Sequence, residues 1–254
     1  MPHIYNAPNL PSAKHAFFGR TGGFSKGIYN SLNFNCRGDD KIENLRGNYN
    51  IVGAYYGLGG DRVMRLRQVH GAEVVYVDRP SQYQIEADGM VTNRRGIVLG
   101  IATADCIPVL MADFKNGVIG AAHAGWRSAL KGVIENTLQV MIEHGAKLEN
   151  IALATGPCLQ QKDFEVKDDM RDMFIEQSAQ NSVFFTPIED GKYLCDLEQY
   201  VKHRAELFGV KNITVSGINT YDDDKHYFSY RRFCHRNLIK QQGAFGVELS
   251  TICL

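Results

Sequence analysis

The chain contains no uninterrupted apolar run of the roughly 18 residues that a membrane-spanning helix needs. Residues 1–18 also lack the basic segment followed by an apolar one that is typical of a signal peptide. Neither sign of charge is in excess, since 28 Lys and Arg residues balance 28 Asp and Glu residues. Without a basic field, sequence-independent binding to nucleic acid is not expected. We therefore expect a cytoplasmic protein that acts on a small molecule, with neither a membrane nor a nucleic acid as partner.

Paired cysteines are absent as well. The chain has six cysteines, and no two of them form a Cys-x-x-Cys unit, which argues against a structural zinc site closed by four nearby ligands. A chain of 254 residues buries a core large enough to fold without disulfide bonds, so reduced thiols are expected. The cysteines are Cys36, Cys106, Cys158, Cys195, Cys234 and Cys253.

No internal repeat, low-complexity segment or linker rich in Pro, Gly or Ser divides the chain. One domain over residues 1–254 is therefore predicted, as a monomer or a small homo-oligomer. Strand patterns occur in clusters as well as in alternation with helices, which favours a mixed-sheet α+β fold. Two nearly continuous apolar runs, Ile97–Ala102 and Val118–Ala122, indicate strands that are buried on both faces.

The longest predicted helix runs from Trp126 to His144, because apolar residues recur there at the i, i+3 and i+4 spacing of one helix face. A second helix is predicted from Glu165 into the 170s, and a third from its N-cap Asp196 to Gly209. Further strands are predicted at Phe17–Arg20, Met64–Val69, Glu73–Val77, Pro108–Ala112, Ile151–Thr155, Asn212–Gly217, Tyr227–Arg231 and Phe245–Ile252.

Two imidazoles and a thiol stand at or just after the ends of predicted strands: His70, Cys106 and His123. This ligand set suits Zn²⁺ or copper, and three protein ligands leave a fourth position open for water or substrate. The sequence therefore indicates a catalytic metal site. In the alternative interpretation Cys106 is itself the nucleophile and His123 its base, in a hydrolase without metal. The second imidazole favours the metal.

His123 also lies just ahead of the longest predicted helix. The first-turn N–H groups of a helix have no partner within it, so an anion can bind there. Arg127 would strengthen such a site.

The motifs, in this order, resemble the YfiH-like family, whose members are also known as polyphenol oxidase or laccase-domain proteins and are related to purine nucleoside phosphorylases. The resemblance runs nearly from end to end, and the blocks that contain His70, Cys106 and His123 are its most specific part. It is carried by Phe17–Gly23, Tyr29–Asn33, Gln68–Gly71, Ala87–Gly89, Thr103–Cys106, Val109, His123–Arg127, Gly156–Cys158, Phe164–Val166 and Phe228–Arg232.

The resemblance implies a single-domain, layered α/β/β/α fold, with zinc, or alternatively copper, held by the residues matching His70, Cys106 and His123. Family members are described as enzymes that phosphorolyse adenosine, inosine or methylthioadenosine and that deaminate adenosine. The oxidase name fits this sequence poorly. A multicopper oxidase needs many His ligands, whereas this chain has eight His in all and no His-x-His pair.

The two nucleoside reactions need different residues. Deamination requires a metal-activated water at the purine C6 and a carboxylate that moves protons, for which Asp105 and Asp88 are the candidates. Asp105 is predicted to be catalytic together with Cys106, and Asp88 to contact the substrate.

Phosphorolysis requires a cation that binds phosphate. Arg20 is the preferred catalytic candidate, because it ends a predicted strand next to a glycine turn. Arg127, Arg231 and Arg232 are the other arginines considered, and Arg127 and Arg231 are predicted to bind substrate. Asn33 is predicted to hydrogen-bond the ribose or the base.

Two other functions remain open. An amidohydrolase or peptidase that edits a cell-wall precursor would use Cys106 or a metal-bound water as nucleophile. A non-catalytic metal-binding module would keep the pocket without turnover. Departures from the usual family residues at Ser128, Asn219 and Cys234-His235 predict that metal binding is kept while substrate preference differs.

Overall fold

Strands and helices follow one another along the chain, of which the computed structural model describes residues 1–81, 85–236 and 244–254. The strands are β1 (Ile4–Tyr5), β2 (His15–Phe18), β3 (Val63–Arg65), β4 (Val74–Tyr76), β5 (Gly89–Thr92), β6 (Val98–Thr103), β7 (Ile107–Asp113), β8 (Val118–Ala124), β9 (Ala152–Thr155), β10 (Glu165–Lys167), β11 (Phe185–Glu189), β12 (Lys192–Cys195), β13 (Asn212–Thr214) and β14 (Glu248–Cys253). The helices are α1 (Ile42–Tyr55), α2 (Trp126–Leu130), α3 (Val133–Glu143), α4 (Asp168–Gln177), α5 (Leu197–Phe208) and α6 (Tyr230–His235).

Two sheets face each other at the centre of the fold. One has the strand order β1-β2-β14-β6-β3, and the other has the order β13-β9-β7-β8-β5-β4. Side chains from both sheets, among them Leu99, Leu110 and Ile252, pack together in the core between them. The central strands β7 and β8 are buried at every position, as the apolar runs in the sequence predict for strands covered on both faces.

Helices cover the outer faces of the two sheets. Val52 of α1 packs with Leu249 against the five-stranded sheet. On the other side, Leu138 of α3 and Val201 of α5 pack with Val109 of the six-stranded sheet. The layers therefore follow the order α/β/β/α, and the predicted mixed-sheet α+β class is confirmed. None of the described helices is long and apolar enough to cross a membrane.

A third sheet, with the strand order β10-β12-β11, was not predicted. The helix predicted from Glu165 is wrong at its start: Glu165–Lys167 is strand β10, which pairs antiparallel with β12, and α4 begins only at Asp168. Val166 is buried between two exposed neighbours, which is the period of a strand.

The long helix predicted over Trp126–His144 is two helices, α2 and α3. They are separated at Gly132, whose φ of 92° lies in the left-handed region. Glycine adopts this conformation without the clash that a Cβ would cause. The apolar period continues across the break, and for that reason the sequence pattern alone did not reveal it.

The strand predicted at Tyr227–Arg231 is wrong. Tyr227 and Phe228 are buried without being part of a strand, and α6 begins at Tyr230. Ser229 caps this helix, because its Oγ accepts a hydrogen bond from the amide N–H of Arg232 at 3.1 Å. Burial of aromatic side chains was thus mistaken for a strand pattern.

The remaining predicted strands lie where expected, with ends shifted by a few residues. β2 ends at Phe18, before Arg20, and β3 ends at Arg65, before Val69. The helix boundaries at Asp196 and Gly209 are confirmed, with Asp196 as the N-cap and a left-handed glycine at the end. The early end of β3 leaves Gln68–Gly71 as a loop, and this loop carries the first residue of the candidate site.

Candidate metal centre

The side chain of Gln68 fixes the loop Gln68–Gly71 through two hydrogen bonds to the backbone of Ala102 in β6. Nε2 of Gln68 donates to the carbonyl oxygen of Ala102 at 2.7 Å, and Oε1 accepts from the amide N–H of Ala102 at 2.9 Å. The loop presents His70, which is exposed and has a φ of 58°. A side chain in this left-handed region costs conformational energy, and such residues concentrate at functional sites.

Asp88, just before β5, organises both histidines. Its carboxylate accepts hydrogen bonds from the amide N–H groups of Val69 (3.1 Å), His70 (3.1 Å) and Gly71 (2.7 Å) and from Nδ1 of His123 (2.7 Å). Burial raises the pKa of Asp88, but these hydrogen bonds outweigh it and hold the pKa below its ordinary value. Asp88 is 0% exposed, so the structure places it behind the ligands, where it positions them.

His123, near the end of β8, is buried and held at Nδ1 by Asp88. An imidazole fixed in this way presents Nε2 to a ligand, as metal-binding histidines commonly do. Burial lowers the pKa of His123, but Cys106 and Asp88 raise it by more, and the pKa reaches about 9. Burial and the nearby His123 lower the pKa of His70 to about 4. The two imidazoles therefore differ in charge at neutral pH when no metal is bound.

Cys106 lies between β6 and β7 and is half-buried. The preceding residue, Asp105, has a φ of 85°, the other non-glycine residue with positive φ among the described residues. The Asp105 carboxylate accepts from the amide N–H of Arg231 and from Oγ1 of Thr220, both at 2.6 Å. Burial raises the pKa of Asp105 despite these hydrogen bonds. The strained Asp105 thus anchors the turn that sets the direction of the Cys106 thiol.

The three predicted ligands come together. One ligand atom of each of His70, Cys106 and His123 lies within 4.8 Å of the others, in what is the only such cluster of three or more that the described part of the chain contains. Ligand atoms of one tetrahedral zinc lie roughly 3.5 Å apart, so small side-chain shifts bring the set onto an ion. Gly125 leaves the room for it, since a Cβ there would lie 2.7 Å from Nδ1 of His70. The residues present fit a metal with an open position.

A cleft of about 170 Å³ opens over the ligands, and sequence reasoning missed most of its wall. Among the lining residues, Arg37 is the one best suited to bind a phosphate. Its guanidinium donates to the carbonyl oxygen of Gln68 at 2.7 Å. It comes from a loop far from the ligands in sequence, and no motif marks it. The residues lining the cleft are Phe34, Asn35, Cys36, Arg37, Leu66, Gln68, His70, Ala102, Thr103, Ala104, Cys106, His123, Phe245 and Val247.

The other predicted substrate-binding residues lie outside the wall of the cleft. Asn33 is 0% exposed, donates to Asp40 at 2.8 Å and accepts from the amide N–H of Val247 at 3.1 Å, so it supports the wall from behind. Arg127 is exposed and stacks over the ring of Trp126 at 4.0 Å. Its positive charge contributes to the lowered pKa of His70, after burial and His123, which places it near the site.

Arg231 and Arg20 are held elsewhere. The Arg231 guanidinium donates to the carbonyl oxygens of Asp163 (3.3 Å) and Glu165 (3.1 Å), and so ties α6 to the start of β10. Arg20 lines a second, larger pocket, where it forms an ion pair with Asp224 at 2.9 Å. Arg20 is therefore not among the residues that line the cleft over the three ligands.

Two buried polar atoms at the cleft have no partner among the described residues: Oγ1 of Thr103, which is part of the lining, and Oε1 of Glu248, which is not. The two residues are directly paired across β6 and β14, so their side chains lie on the same face of the sheet. Burial, and then the charge of Asp105, raise the pKa of Glu248 well above its ordinary value. No motif signalled this pair, since only the strand register brings it together.

The fold and the site together define a class of protein: an α/β/β/α sandwich with a candidate His–Cys–His metal site at strand ends. The family model described as multi-copper polyphenol oxidoreductase laccase matches residues 14–254. The chain belongs to this family, as its resemblance to YfiH-like proteins predicts.

Relatives of known sequence and structure agree. The chain is 37% identical over 229 residues to a purine nucleoside phosphorylase of Deinococcus radiodurans, covering 90% of this chain and 87% of that one. It is 34% identical over 213 residues to the purine nucleoside phosphorylase YfiH of Escherichia coli, covering 84% and 86%. A crystal structure of a Neisseria meningitidis protein matches 99% of this chain and 98% of that chain, with a TM-score of 0.88 and 31% identity.

Proposed function

We propose that this protein is a zinc-dependent purine nucleoside phosphorylase that binds its nucleoside in the cleft over His70, Cys106 and His123. The observation that carries the proposal is the convergence of these three ligand atoms on one open cleft. The names of the Deinococcus and Escherichia relatives support the substrate class. Adenosine, inosine and methylthioadenosine are the proposed substrates.

Zinc held by this set would act as a Lewis acid toward a substrate oxygen or nitrogen. The protein's own residues have separate tasks. Asp88 holds the His123 ring and the backbone of His70 in place. Arg37, anchored through one N–H on the carbonyl oxygen of Gln68, has further N–H donors for phosphate. Phe34 and Phe245 offer apolar surface to a purine.

In phosphorolysis a phosphate oxygen forms a bond to C1′ of the ribose while the bond from C1′ to N9 breaks. The electron pair of that bond goes to the purine, which then takes a proton. Arg37 is the cation that would hold the phosphate against C1′ as charge shifts, and the more distant Arg127 would add positive charge beside the site. In this proposal Arg37 takes the phosphate-binding role that the sequence predicted for Arg20.

Adenosine deamination has weaker support as a second reaction of this site. It needs a carboxylate at the cleft to move protons. The residues lining the cleft include none in the described part of the chain, and the carboxylates of Asp88 and Asp105 are engaged by backbone and side-chain donors. Phosphorolysis is therefore the favoured reaction.

The surroundings of His123 favour one alternative function, a cysteine hydrolase without metal. His123 lies between Cys106, to which it is electrostatically coupled, and Asp88, to which it is hydrogen-bonded. A thiol, an imidazole and a carboxylate in this order form the arrangement of a cysteine hydrolase. His70 has no task in such a mechanism, whereas a metal site uses it.

The test is chromatography of adenosine and inosine incubated with purified protein, with and without phosphate and with and without a chelator. We expect free base only when phosphate is present and the metal is retained. Arg37→Gln should raise KM for phosphate by about tenfold, from the loss of one charged contact. Arg62→Gln, a half-exposed arginine beside Asp61, is the matched control. Activity that survives complete metal removal, with Cys106 open to alkylation, would favour the hydrolase instead.

A further inference from the structure

A second pocket, of about 660 Å³, lies between the loop after β2 and the segment that leads into α6. None of its lining residues also lines the cleft over the metal ligands. Its size falls within the range of sites that bind small organic molecules. Polar residues of the loop, Thr21, Asn30 and Ser31, form one wall.

The pocket has an unbalanced charge. Three guanidinium groups converge on the single carboxylate of Asp224: Arg20 at 2.9 Å, Arg232 at 3.1 Å and Arg236 at 2.7 Å. Lys225 is a fourth cation in the lining, and Asp224 is the one carboxylate there among the described residues. One carboxylate does not neutralise four cations, so the lining carries an excess of positive charge.

Two of the guanidinium groups are held rigidly by the fold. Arg232 is 5% exposed and donates to the carbonyl oxygens of Thr220 (2.5 Å), Tyr221 (2.8 Å) and Tyr227 (2.5 Å). Arg20 donates to the carbonyl oxygen of Asn30 at 3.0 Å. Cations fixed in this way lose little conformational entropy when a ligand binds.

The surroundings of Arg20 are short of negative charge. Its guanidinium also lies over the ring of Phe228, at 4.4 Å from the centroid, and its side chain is 16% exposed. Burial is the main cause that lowers the pKa of Arg20. Asp224 and Glu248 raise this pKa and Arg232 and Arg236 lower it, and it stays below its ordinary value. Holding several partly buried cations around one anion costs desolvation energy that a second anion would offset.

We propose that this pocket binds the phosphate group of a small phosphorylated molecule, with Arg20 and Arg236 as its ligands and with Arg232, whose NH1 and NH2 groups are already engaged, as a fixed positive charge behind them. Guanidinium groups match phosphate oxygens through paired N–H donors, and Asp224 keeps the three arginines oriented toward one point. The space beyond the phosphate accepts an organic group, which the polar loop residues would contact. This site does not depend on the reaction proposed for the metal cleft.

The test is isothermal titration calorimetry of the full-length protein with inorganic phosphate and, separately, with adenosine 5′-monophosphate. Arg236→Gln changes an arginine whose side chain is about half exposed, so the fold should persist, and we expect a loss of affinity of about tenfold. Lys225→Gln should weaken binding less. Arg62→Gln, which changes an arginine that lines neither cleft, is the control and should leave this binding event unchanged.

Tighter binding of the nucleotide than of free phosphate, with the same dependence on Arg236, would support a phosphorylated organic ligand. Equal affinities would support the same phosphate contacts with free phosphate as the source. Absence of binding at millimolar concentrations would overturn the proposal. So would binding that Arg37→Gln abolishes and that Arg236→Gln and Lys225→Gln leave intact. A negative result here would leave phosphorolysis at the metal cleft unaffected, because that reaction is measured separately through release of base.

Discussion

Cys106 and Cys158 occupy similar places in the fold and have opposite chemical surroundings. Each lies close to the end of a strand of the six-stranded sheet, Cys106 just before β7 and Cys158 shortly after β9. Cys106 is half-buried and faces the imidazoles of His70 and His123. Cys158 is 0% exposed, and its Sγ accepts a hydrogen bond from Nε2 of Gln160 at 3.1 Å.

Burial and the nearby carboxylate determine the chemical state of Cys158. Burial, and then the charge of Glu198, raise the pKa of Cys158 well above its ordinary value, so this thiol stays protonated. Glu198 is itself engaged by Oγ1 of Thr155 at 2.6 Å and by the amide N–H of Ser216 at 3.0 Å. At Cys106 the corresponding carboxylate, Asp88, acts through His123 instead of facing the thiol. The two cysteines therefore differ in their surroundings, since an imidazole lies between Cys106 and the nearby acid.

Among the substitutions that test this comparison, Cys106→Ala should have the largest effect. Loss of one of three ligands should release the metal and lower kcat by about a thousandfold or more, while the fold persists because the thiol lies at the edge of the core. Metal content by elemental analysis, turnover and the thermal midpoint are the measurements. Retention of both metal and rate would show that Cys106 is not the thiol ligand.

Asp88→Asn removes the negative charge behind His123 and keeps the shape of the side chain at position 88. We expect zinc affinity to fall by about 10- to 100-fold, as for other substitutions of residues that orient metal-binding histidines. Competition with a chromophoric chelator measures this. Glu198→Gln is the counterpart beside Cys158, and it should leave zinc affinity unchanged. If both variants lost metal equally, the two carboxylates would not differ in role.

The pH dependence of metal binding gives a smaller effect. The pKa of His123, about 9 without metal, means that the ion must displace a proton from this ring at any lower pH. Zinc affinity should therefore rise by about tenfold per pH unit between about pH 7 and 9 and level off above that. His70, with a pKa of about 4, should add no slope in this range. A flat profile between these limits would mean that His123 is already neutral in the metal-free protein.

Cys158→Ala should have the smallest effect. Removing a buried Sγ leaves a small cavity, so we expect a loss of about 1–2 kcal/mol in the free energy of unfolding. Metal content and turnover should not change. Chemical denaturation and elemental analysis of the same preparation check both statements. Loss of metal here would place Cys158 at the site and contradict the contrast with Cys106.

The sequence predicted most strands of the two main sheets, because continuous apolar runs such as Val118–Ala122 are typical of buried strands, but it did not predict β1 or β5. It also predicted that His70, Cys106 and His123 belong to one site, since all three follow or flank apolar stretches that end in small residues, and the structure brings them together. It failed where local pattern and tertiary contact disagree. Tyr227 and Phe228 are buried outside any strand, and Gly132 turns a helix whose apolar period continues unbroken.

The residues around the ligands depended on the tertiary structure. Asp88 follows an alanine and precedes a glycine, which is a turn pattern in sequence, yet its buried carboxylate joins two ligand-bearing segments. Arg37 reaches the cleft, and Arg20 reaches a different pocket, only through the packing of distant loops. Residue type and period determined the sheets and the ligand set, because each is a property of neighbouring residues. Which charged side chains face each cleft was decided by contacts between segments far apart in the chain, and no local pattern encodes those distances.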